Sequence, residues 1–498
     1  MAALLVTLQI ALLGYFLFFA FFNYLYAFAS FFYRAPAKGR KPSGKTVAVV
    51  IVSFNEKEVL LETLSACSKL TYQNNVIVIG DDSKDDATYP LLQKWITEHG
   101  GQKLPEQLVT RHHENMDIWE SPDKKHVIVH RHTNEGFKAG NLKEVIKYLR
   151  RRGIDYLFLL DADWRIQSDA IEQALSQLES HENLAFVQTK RAHYNRSSGI
   201  FQRSAALGEE TEYEVELVGR QMMHHPILFT GCCTLFRVKA IEDAGGFTAG
   251  HLTEDIDLTN RLYLRGWNAQ YLPSVSNEGE IVPSYPALIK QQERWAQGTA
   301  RTFREFMKSV TQSVHLSWGQ RLSLIRQNMY YTTAVAIEIS IVLAFISVGW
   351  IIIWPESYQA NLYVLYMSRI ALPYTILLLL ALASNFLPML ITIVKRRTFR
   401  ELPFVLLSTW LSWSMLHTYF WANVKGLLGV KSDWFKTPKT SGKRVRVSTR
   451  HNPFRIAVNM VTLCLFIALY ALEWYTYGWI NPYAYFWIPA MMTSVFVF

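Results

Sequence analysis

Three groups of acidic residues precede residue 260 of the sequence: Asp81-Asp82, Asp161-Ala162-Asp163 and Glu254-Asp255. The middle group directly follows an apolar run of five residues. Two carboxylates at this spacing suit a Mg²⁺ or Mn²⁺ ion bound to a diphosphate, because hard cations prefer oxygen ligands. The alternative for the first and second groups is a solvated surface turn, which is a common setting for neighbouring aspartates.

The third group lies in Thr253-Glu254-Asp255, where a helical pattern begins. Thr253 there could be an N-cap, and the acidic residues could simply complement the helix dipole. The catalytic alternative is that Asp255 acts as a general base on a hydroxyl nucleophile. Upstream, Lys138-Ala-Gly-Asn141 places a cation and small residues at a helix start, which suits a phosphate or an ordinary loop.

Gln291, Arg294 and Trp295 form a Q-x-x-R-W arrangement. On a helix, Gln291 and Arg294 share a face at positions i and i+3, and Trp295 lies beside them. Arg294 could clamp a phosphate, and Trp295 could stack on a sugar ring. Alternatively, both belong to an amphipathic helix that rests against a membrane.

The elements that must position these residues alternate between strands and helices from about residue 46 to residue 311. Four short apolar runs predict strands: Val47–Val52, Val76–Ile79, His126–His130 and Tyr156–Leu160. Such alternation indicates an α/β domain with a mostly parallel sheet and helices on both faces. In such sheets ligands bind at the carboxyl ends of the strands, where Asp81 and Asp161 occur. The polar residues 101–125 are interpreted as a surface excursion.

Long apolar segments flank this domain. Leu4 to Phe32 carries no charge and is long enough to span a membrane, which takes about 20 residues. Basic residues follow it, so we expect its C-terminal end and the α/β domain to be cytoplasmic. Further spans are predicted at Tyr331–Trp354 and Ala371–Val394, and a helical hairpin is predicted at Ile456–Trp474 and Trp479–Phe498.

Two more segments are interpreted as interfacial. Ser317–Tyr330 is amphipathic, as expected of a helix that lies along the membrane surface. Leu402–Val424 is long enough to cross, but both of its flanks are basic, so we favour an interfacial or re-entrant helix over a span.

The net charge of +10 is concentrated after the domain. Between residues 395 and 450 there are twelve Lys or Arg against two acidic residues, bracketed by apolar segments. This placement indicates the cytoplasmic face of a membrane protein in contact with lipids, and we expect no nucleic-acid partner. The four cysteines lack zinc-ligand spacing and are interpreted as reduced thiols. The expected location is a bacterial inner membrane or plasma membrane, or the Golgi or plasma membrane of a eukaryote.

The joint order of the motifs is more specific than any one of them. D-D, K-A-G-N, D-x-D, T-E-D and Q-x-x-R-W follow one another between membrane segments. This order resembles the membrane-embedded family 2 glycosyltransferases, which are synthases of cellulose, mannan, glucomannan, chitin and hyaluronan. The resemblance covers Thr46 to Gly298 and implies a glycosyltransferase domain of GT-A type.

Three further stretches match the family pattern. Val187-Gln188-Thr189 resembles its V-Q-T strand beside the donor. Phe229-Thr-Gly-Cys232 resembles its F-x-G-S/T turn at the acceptor sugar, although the last position is Cys here. Trp434-Phe-Lys-Thr-Pro-Lys439 resembles its mobile gating loop, with Thr437 and Lys439 the positions that match.

The resemblance implies a role for each matching residue. Asp255 would be the catalytic base, and Asp161 and Asp163 would hold Mg²⁺ or Mn²⁺. Donor-binding residues would be Ser53, Glu56, Asp82, Lys138, Asp161, Gln188, Arg294, Thr437 and Lys439. Acceptor-binding residues would be Phe229, Gly231, Cys232, Glu254, Gln291 and Trp295. The expected domains are an N-terminal membrane helix (1–33), the glycosyltransferase domain (46–311) and a membrane region (317–498) with a gating-like loop at 431–446.

The expected activity is inverting transfer from a nucleotide-diphosphate sugar, UDP-glucose before GDP-mannose, to a growing β-linked polysaccharide that crosses the membrane. One alternative is a non-processive enzyme that adds a sugar to a membrane lipid. A second alternative is a non-catalytic transporter or scaffold, but it gives no reason for D-x-D and T-E-D to occur together.

Overall fold

The computed structural model describes residues 1–36, 39–105 and 116–430, together with residues 437, 439, 464, 467, 468 and 471. The predicted hairpin at 456–498 and most of the gating-like loop at 431–446 lie outside the described residues, so their structure is not discussed.

A sheet of nine strands forms the centre of the α/β domain, in the spatial order β3-β4-β5-β2-β1-β6-β8-β7-β9. Strands β5, β2, β1 and β6 are parallel neighbours, which is the arrangement that the alternating pattern predicts. The strands are β1 (Val47–Ser53), β2 (Asn75–Asp81), β3 (Gln102–Lys103), β4 (Met116–Glu120), β5 (His126–Arg131), β6 (Tyr156–Asp161), β7 (Leu184–His193), β8 (Thr234–Arg237) and β9 (Asn268–Gly279).

The register of the central strands brings their polar ends together. Every residue of β1 is buried, because apolar clusters pack against both faces of the sheet. Ser53 pairs with Asp81 of β2, and Val52 pairs with Asp161 of β6. The carboxyl ends of three neighbouring strands therefore meet at one edge, where ligands bind in sheets of this kind.

The interpretation of residues 101–125 as a surface excursion was wrong for its described part. Met116 to Glu120 form β4, which pairs antiparallel with β5, and the two-residue β3 pairs with β4. Met116 and Ile118 point into the core while their neighbours are less buried. Two apolar residues at this alternation are enough for an edge strand. Because the surrounding sequence is polar, the hydrophobic pattern of this strand is too weak to be recognised from the sequence.

Helices cover both faces of the sheet. They are α2 (Lys57–Cys67), α3 (Thr88–Glu98), α4 (Phe137–Arg151), α5 (Ala170–Ser180), α8 (Val238–Asp243) and α9 (Glu254–Leu264). Between the sheet and the apolar helices lies a second set, α6 (Ile200–Thr211), α7 (Leu217–Met222), α10 (Tyr285–Gln312) and α11 (Trp318–Asn328). One π-helical turn, Glu212–Glu216, separates α6 from α7.

Within the described part of the chain, three helices are long and apolar enough to cross a membrane: α1 (Ala2–Phe31), α12 (Thr332–Ile353) and α13 (Tyr358–Arg396). The third begins well before the predicted Ala371 and continues through two internal prolines. The stretch 402–424 forms two helices, α14 (Leu402–Ser414) and α15 (Leu416–Leu428). Each has 13 residues, fewer than the roughly 20 that a span requires.

Candidate active site

The Asp82 carboxylate is buried at the end of β2. Arg131 binds both of its oxygens, with its Nε 2.7 Å from Oδ1, and Asn141 donates to the same Oδ1 over 2.8 Å. Burial raises the pKa of Asp82, and the Arg131 guanidinium opposes that rise. Ser53 lies nearby at the end of β1, and its buried hydroxyl has no hydrogen-bond partner among the described residues.

Arg131 and Asn141 did not appear among the site residues predicted from the sequence. Asn141 closes the K-A-G-N stretch, so the motif itself contained a signal. Arg131 reaches Asp82 because β5 lies beside β2, with Asp81 paired to His130 in register. The same pairing lets His130 donate or accept at Asp81 over 2.7 Å, and the imidazole stacks on Tyr89 at 3.6 Å.

The Lys138 side chain lies between Asp161 at the end of β6 and Glu254 at the start of α9. Its ammonium group binds Asp161, donates to the Gly231 carbonyl over 2.8 Å and lies 3.7 Å from Glu254. Burial alone would lower the pKa of Lys138, but the carboxylates of Asp161 and Glu254 outweigh it and raise that pKa. A permanently charged lysine beside an acidic strand end is suited to hold a phosphate.

The Asp161 and Asp163 carboxylates each contact one lysine. Lys138 binds Asp161, and Lys439 lies 2.5 Å from Asp163. Asp163 is almost completely buried, whereas Asp161 is partly open to solvent. Two carboxylates at one strand end offer the oxygen ligands that a divalent cation prefers, and the two lysine ammonium groups beside them suit the phosphate oxygens of a diphosphate.

A cavity of about 530 Å³ opens on the other side of Asp255. That volume is in the range of about 300–1,000 Å³ that is typical of small-molecule sites. We call it the chamber; its wall combines polar groups near the sheet with apolar side chains of the long helices. Residues that line it include Phe16, Glu212, Thr230, Asp255, Trp295 and Tyr331.

Asp255 occupies the first turn of α9, where it lines the chamber next to Glu254, which lies towards Lys138. Burial, with the neighbouring Glu254 carboxylate adding to it, raises the pKa of Asp255 to about 7. A Cβ atom on Gly231 would lie 3.5 Å from Oδ2 of Asp255. The turn whose Gly231 carbonyl binds Lys138 therefore also lies against the Asp255 carboxylate. A carboxyl that titrates near neutrality and faces a cavity is suited to general base catalysis.

Thr253 occupies the N-cap position of α9, but its side chain makes no capping hydrogen bond. Its hydroxyl is buried without a partner and packs against α10. A Cβ atom on Gly298 would lie 2.6 Å from that hydroxyl oxygen, closer than real Cβ contacts come. The absence of a side chain at Gly298 therefore lets α10 carry Arg294 and Trp295 up to the Thr253–Asp255 segment.

Arg294 lies in the electrostatic field of three carboxylates. Burial lowers the pKa of its guanidinium, while Glu254, Asp255 and Asp161 oppose that change. Trp295, the next residue, lines the chamber instead. The helix α10 thus presents a cation to the acidic residues Glu254, Asp255 and Asp161 and an indole to the chamber from consecutive positions.

Three residues predicted at the acceptor lie elsewhere. Gln292, not Gln291, lines the chamber, where it accepts a hydrogen bond from Tyr331 over 2.8 Å. Cys232 is buried in the apolar cluster under the sheet, because the turn points its thiol inward. Glu254 lies towards Lys138 on the donor side. Phe229 lines the chamber.

Gln188, predicted to bind the donor, is fully buried. Its amide nitrogen donates to the carbonyls of Cys232 and Cys233, and its amide oxygen accepts from the Thr230 amide and the Thr234 hydroxyl. The Gln188 side chain therefore holds the turn 230–234 in place and has no hydrogen-bonding group left for the donor that it was predicted to bind.

Of the two other predicted donor residues, Glu56 lies near the same edge of the sheet. Glu56 precedes α2, and its carboxylate accepts from the Phe54 amide over 3.4 Å. Its charge also acts on Lys439, which places it near the Asp163 end of the site. Thr437 is buried, and the residues on either side of it lie outside the described part of the chain.

The sequence profile of the family described as "Glycosyltransferase like family 2" matches residues 42–298. Among curated proteins, the chain is 26% identical over 292 residues to "Probable glucomannan 4-beta-mannosyltransferase 4" of Oryza sativa subsp. japonica. It is 25% identical over 292 residues to "Glucomannan 4-beta-mannosyltransferase 7" of Arabidopsis thaliana. Each match covers 58% of this chain, and the chain spans about half the length of these relatives, 50% and 49%.

A solved structure is also similar: the mannosyltransferase PcManGT from Pyrobaculum calidifontis, in complex with GDP-Man and Mn²⁺. The alignment has a TM-score of 0.47 and 16% sequence identity, and it covers 86% of this chain and 99% of that chain.

Proposed function

The chain belongs to the glycosyltransferase-like family 2, and we therefore propose that it transfers a hexose from a nucleotide-diphosphate sugar to a β-linked polysaccharide. The observation that carries this proposal is the position of Asp255. Its carboxyl lines the chamber, while the adjoining Glu254 faces Lys138 and Asp161. A donor site and an acceptor site therefore meet at two consecutive residues.

On the donor side, the open hydroxyl of Ser53 and the carboxylate of Asp82 would bind the nucleoside, with Arg131 and Asn141 fixing Asp82 in place. Lys138 and Arg294 would hold the diphosphate. Asp161 and Asp163 would hold Mg²⁺ or Mn²⁺, which supplies positive charge to the leaving diphosphate when bound.

On the acceptor side, Trp295 would stack on the terminal sugar ring so that one hydroxyl faces Asp255. The carboxylate takes the hydroxyl proton as the oxygen forms a bond to the anomeric carbon. The bond from that carbon to the diphosphate breaks from the opposite face, and the nucleoside diphosphate leaves with the electron pair. This geometry inverts the anomeric configuration and gives a β-linkage from an α-linked donor.

The relatives are named as mannosyltransferases, which supports a donor whose hexose has no N-acetyl group. We therefore propose GDP-mannose as the first donor to test and UDP-glucose as the second. The test is to supply labelled GDP-mannose, UDP-glucose and UDP-N-acetylglucosamine separately to the purified protein in lipid, with either metal. We expect incorporation from GDP-mannose or UDP-glucose and none from the third donor. Incorporation from none of the three would overturn the proposed activity.

A lipid acceptor is the second candidate, because the chamber reaches between the apolar helices. Phe16 and Phe19 of α1 and Ile341 of α12 line its far end. Sizing the labelled product separates the two candidates, since one sugar on a lipid and a long polymer differ greatly in mass. With a polymer, we propose that the same helices guide it across the membrane, with the α/β domain on the cytoplasmic side.

A further inference from the structure

The π-helical turn at Glu212–Glu216 interrupts the helical layer next to the chamber. A π turn inserts one extra residue into a helix, so it changes the direction of the side chains that follow. Such turns are rare and occur frequently at functional sites. Here the turn lies in a stretch with five glutamates between residues 209 and 216.

Four of these glutamates form ion pairs. Glu209 binds Arg191 at 2.9 Å, Glu210 binds Arg396, Glu214 binds Lys190 at 2.5 Å and Glu216 binds Arg326 at 2.8 Å. The side chain of Glu212 makes no ion pair or hydrogen bond with any residue that the structure describes. It is half-buried, so it has given up much of its hydration without such a partner among the described residues.

The carboxyl of Glu212 lines the chamber together with Asp255, Trp295 and Tyr331. Glu212 and Asp255 both act electrostatically on Tyr331, which places them around the same part of the cavity. Burial raises the pKa of Glu212 to about 8, and the negative charge of Glu216 contributes to that rise. A carboxyl that holds its proton at neutral pH can both donate and accept hydrogen bonds.

We propose that Glu212 is an acceptor-binding residue whose carboxyl hydrogen-bonds hydroxyl groups of a saccharide in the chamber. The sugar ring that it contacts would lie near the ring stacked on Trp295, so that Glu212 selects and positions the acceptor for Asp255. A polyhydroxylated ring fits the chamber because its lining combines aromatic side chains, such as Trp295 and Tyr331, with polar groups that have no described hydrogen-bond partner, such as Glu212 and the Thr253 hydroxyl. This inference rests on the proposed glycosyl transfer.

The test compares three variants of the full chain in lipid, with mannotetraose and cellotetraose as acceptors and saturating donor. In Glu212→Leu we expect the KM for the better oligosaccharide to rise about tenfold, with the KM for the donor unchanged. In Glu212→Gln, which retains one donor and one acceptor atom, we expect the acceptor KM to stay within about threefold of the original.

Glu214→Gln is the matched control, two residues along the same turn but facing Lys190 and Arg396. It should lower the melting temperature and leave the acceptor KM unchanged, whereas Glu212→Leu should not lower the melting temperature. This opposite pattern separates a binding role from a structural one.

Failure of the inference differs from failure of the proposed function. If the unsubstituted protein incorporates sugar but Glu212→Leu keeps the original acceptor KM, Glu212 does not bind the acceptor. Incorporation that responds to neither oligosaccharide would also overturn the inference, because the chamber would then not admit a saccharide. Absence of incorporation from every donor would overturn the proposed function and the inference with it.

Discussion

Replacement of Asp255 by asparagine tests the assigned chemistry most directly. Asparagine keeps the size of the side chain but cannot take a proton. A general base contributes about 10²–10⁴-fold to a rate, so we expect transfer by Asp255→Asn to fall by that factor. Donor affinity should change little, because Lys138, Asp161 and Arg294 bind on the other side of the residue.

The pH dependence follows from the environment of the same carboxyl. Asp255 works as a base only when it is deprotonated, and burial raises its pKa to about 7. Activity should therefore be lost as the pH falls through 7. About 9% of the molecules have the active form at pH 6 and about 91% at pH 8, so the rate should differ about tenfold.

The assay is incorporation of labelled sugar between pH 5.5 and 9, with nucleotide binding measured by calorimetry on the same samples. Asp257→Asn is the control: it lies on the same helix but pairs with Arg261 instead of lining the chamber. It should keep the rate and the pH profile. A rate above one tenth of the original in Asp255→Asn, or a flat profile between pH 6 and 8, would refute the assignment.

Two other predictions concern the residues on either side of Asp255. Asp163→Asn should raise the Mn²⁺ or Mg²⁺ concentration for half-maximal transfer at least about tenfold, because one of two carboxylate ligands is lost. A titration of transfer activity with metal measures this concentration. An unchanged midpoint would contradict the proposed metal site at Asp161 and Asp163. Trp295→Ala should raise the acceptor KM about twofold to tenfold, since an aromatic contact contributes about 0.5–1.5 kcal/mol. Trp295→Phe should restore most of the affinity in the same oligosaccharide assay, and equal KM values in both variants would contradict stacking.

The strands and their acidic ends could be predicted because their signals are local. An apolar run such as Tyr156–Leu160 followed by Asp161 specifies both a buried strand and the polar group at its end. The order of the motifs then identified the family, which the profile match confirms. The expected fold, an α/β domain of GT-A type with a helical membrane region, is likewise confirmed.

The rest depends on contacts between distant segments. Arg131 binds Asp82 because β5 pairs with β2, and no feature of either segment alone gives that register. The direction of the Gln188 side chain follows from the pairing of β7 with β8, which turns it towards the turn 230–234. Glu212 was missed because a π turn has no distinctive residue pattern.

Gly219 of α7 makes a close contact with α1, so the α/β domain and the first apolar helix pack directly against each other. A Cβ atom on Gly219 would lie 2.4 Å from the Tyr26 carbonyl oxygen, so α7 and α1 touch backbone to backbone. Arg326 and Arg396, both outside residues 46–311, neutralise glutamates within that range. The boundary that composition draws between the α/β domain and the apolar helices therefore crosses backbone contacts and ion pairs, and a fragment limited to residues 46–311 would expose Gly219 and leave Glu210 and Glu216 without these arginines.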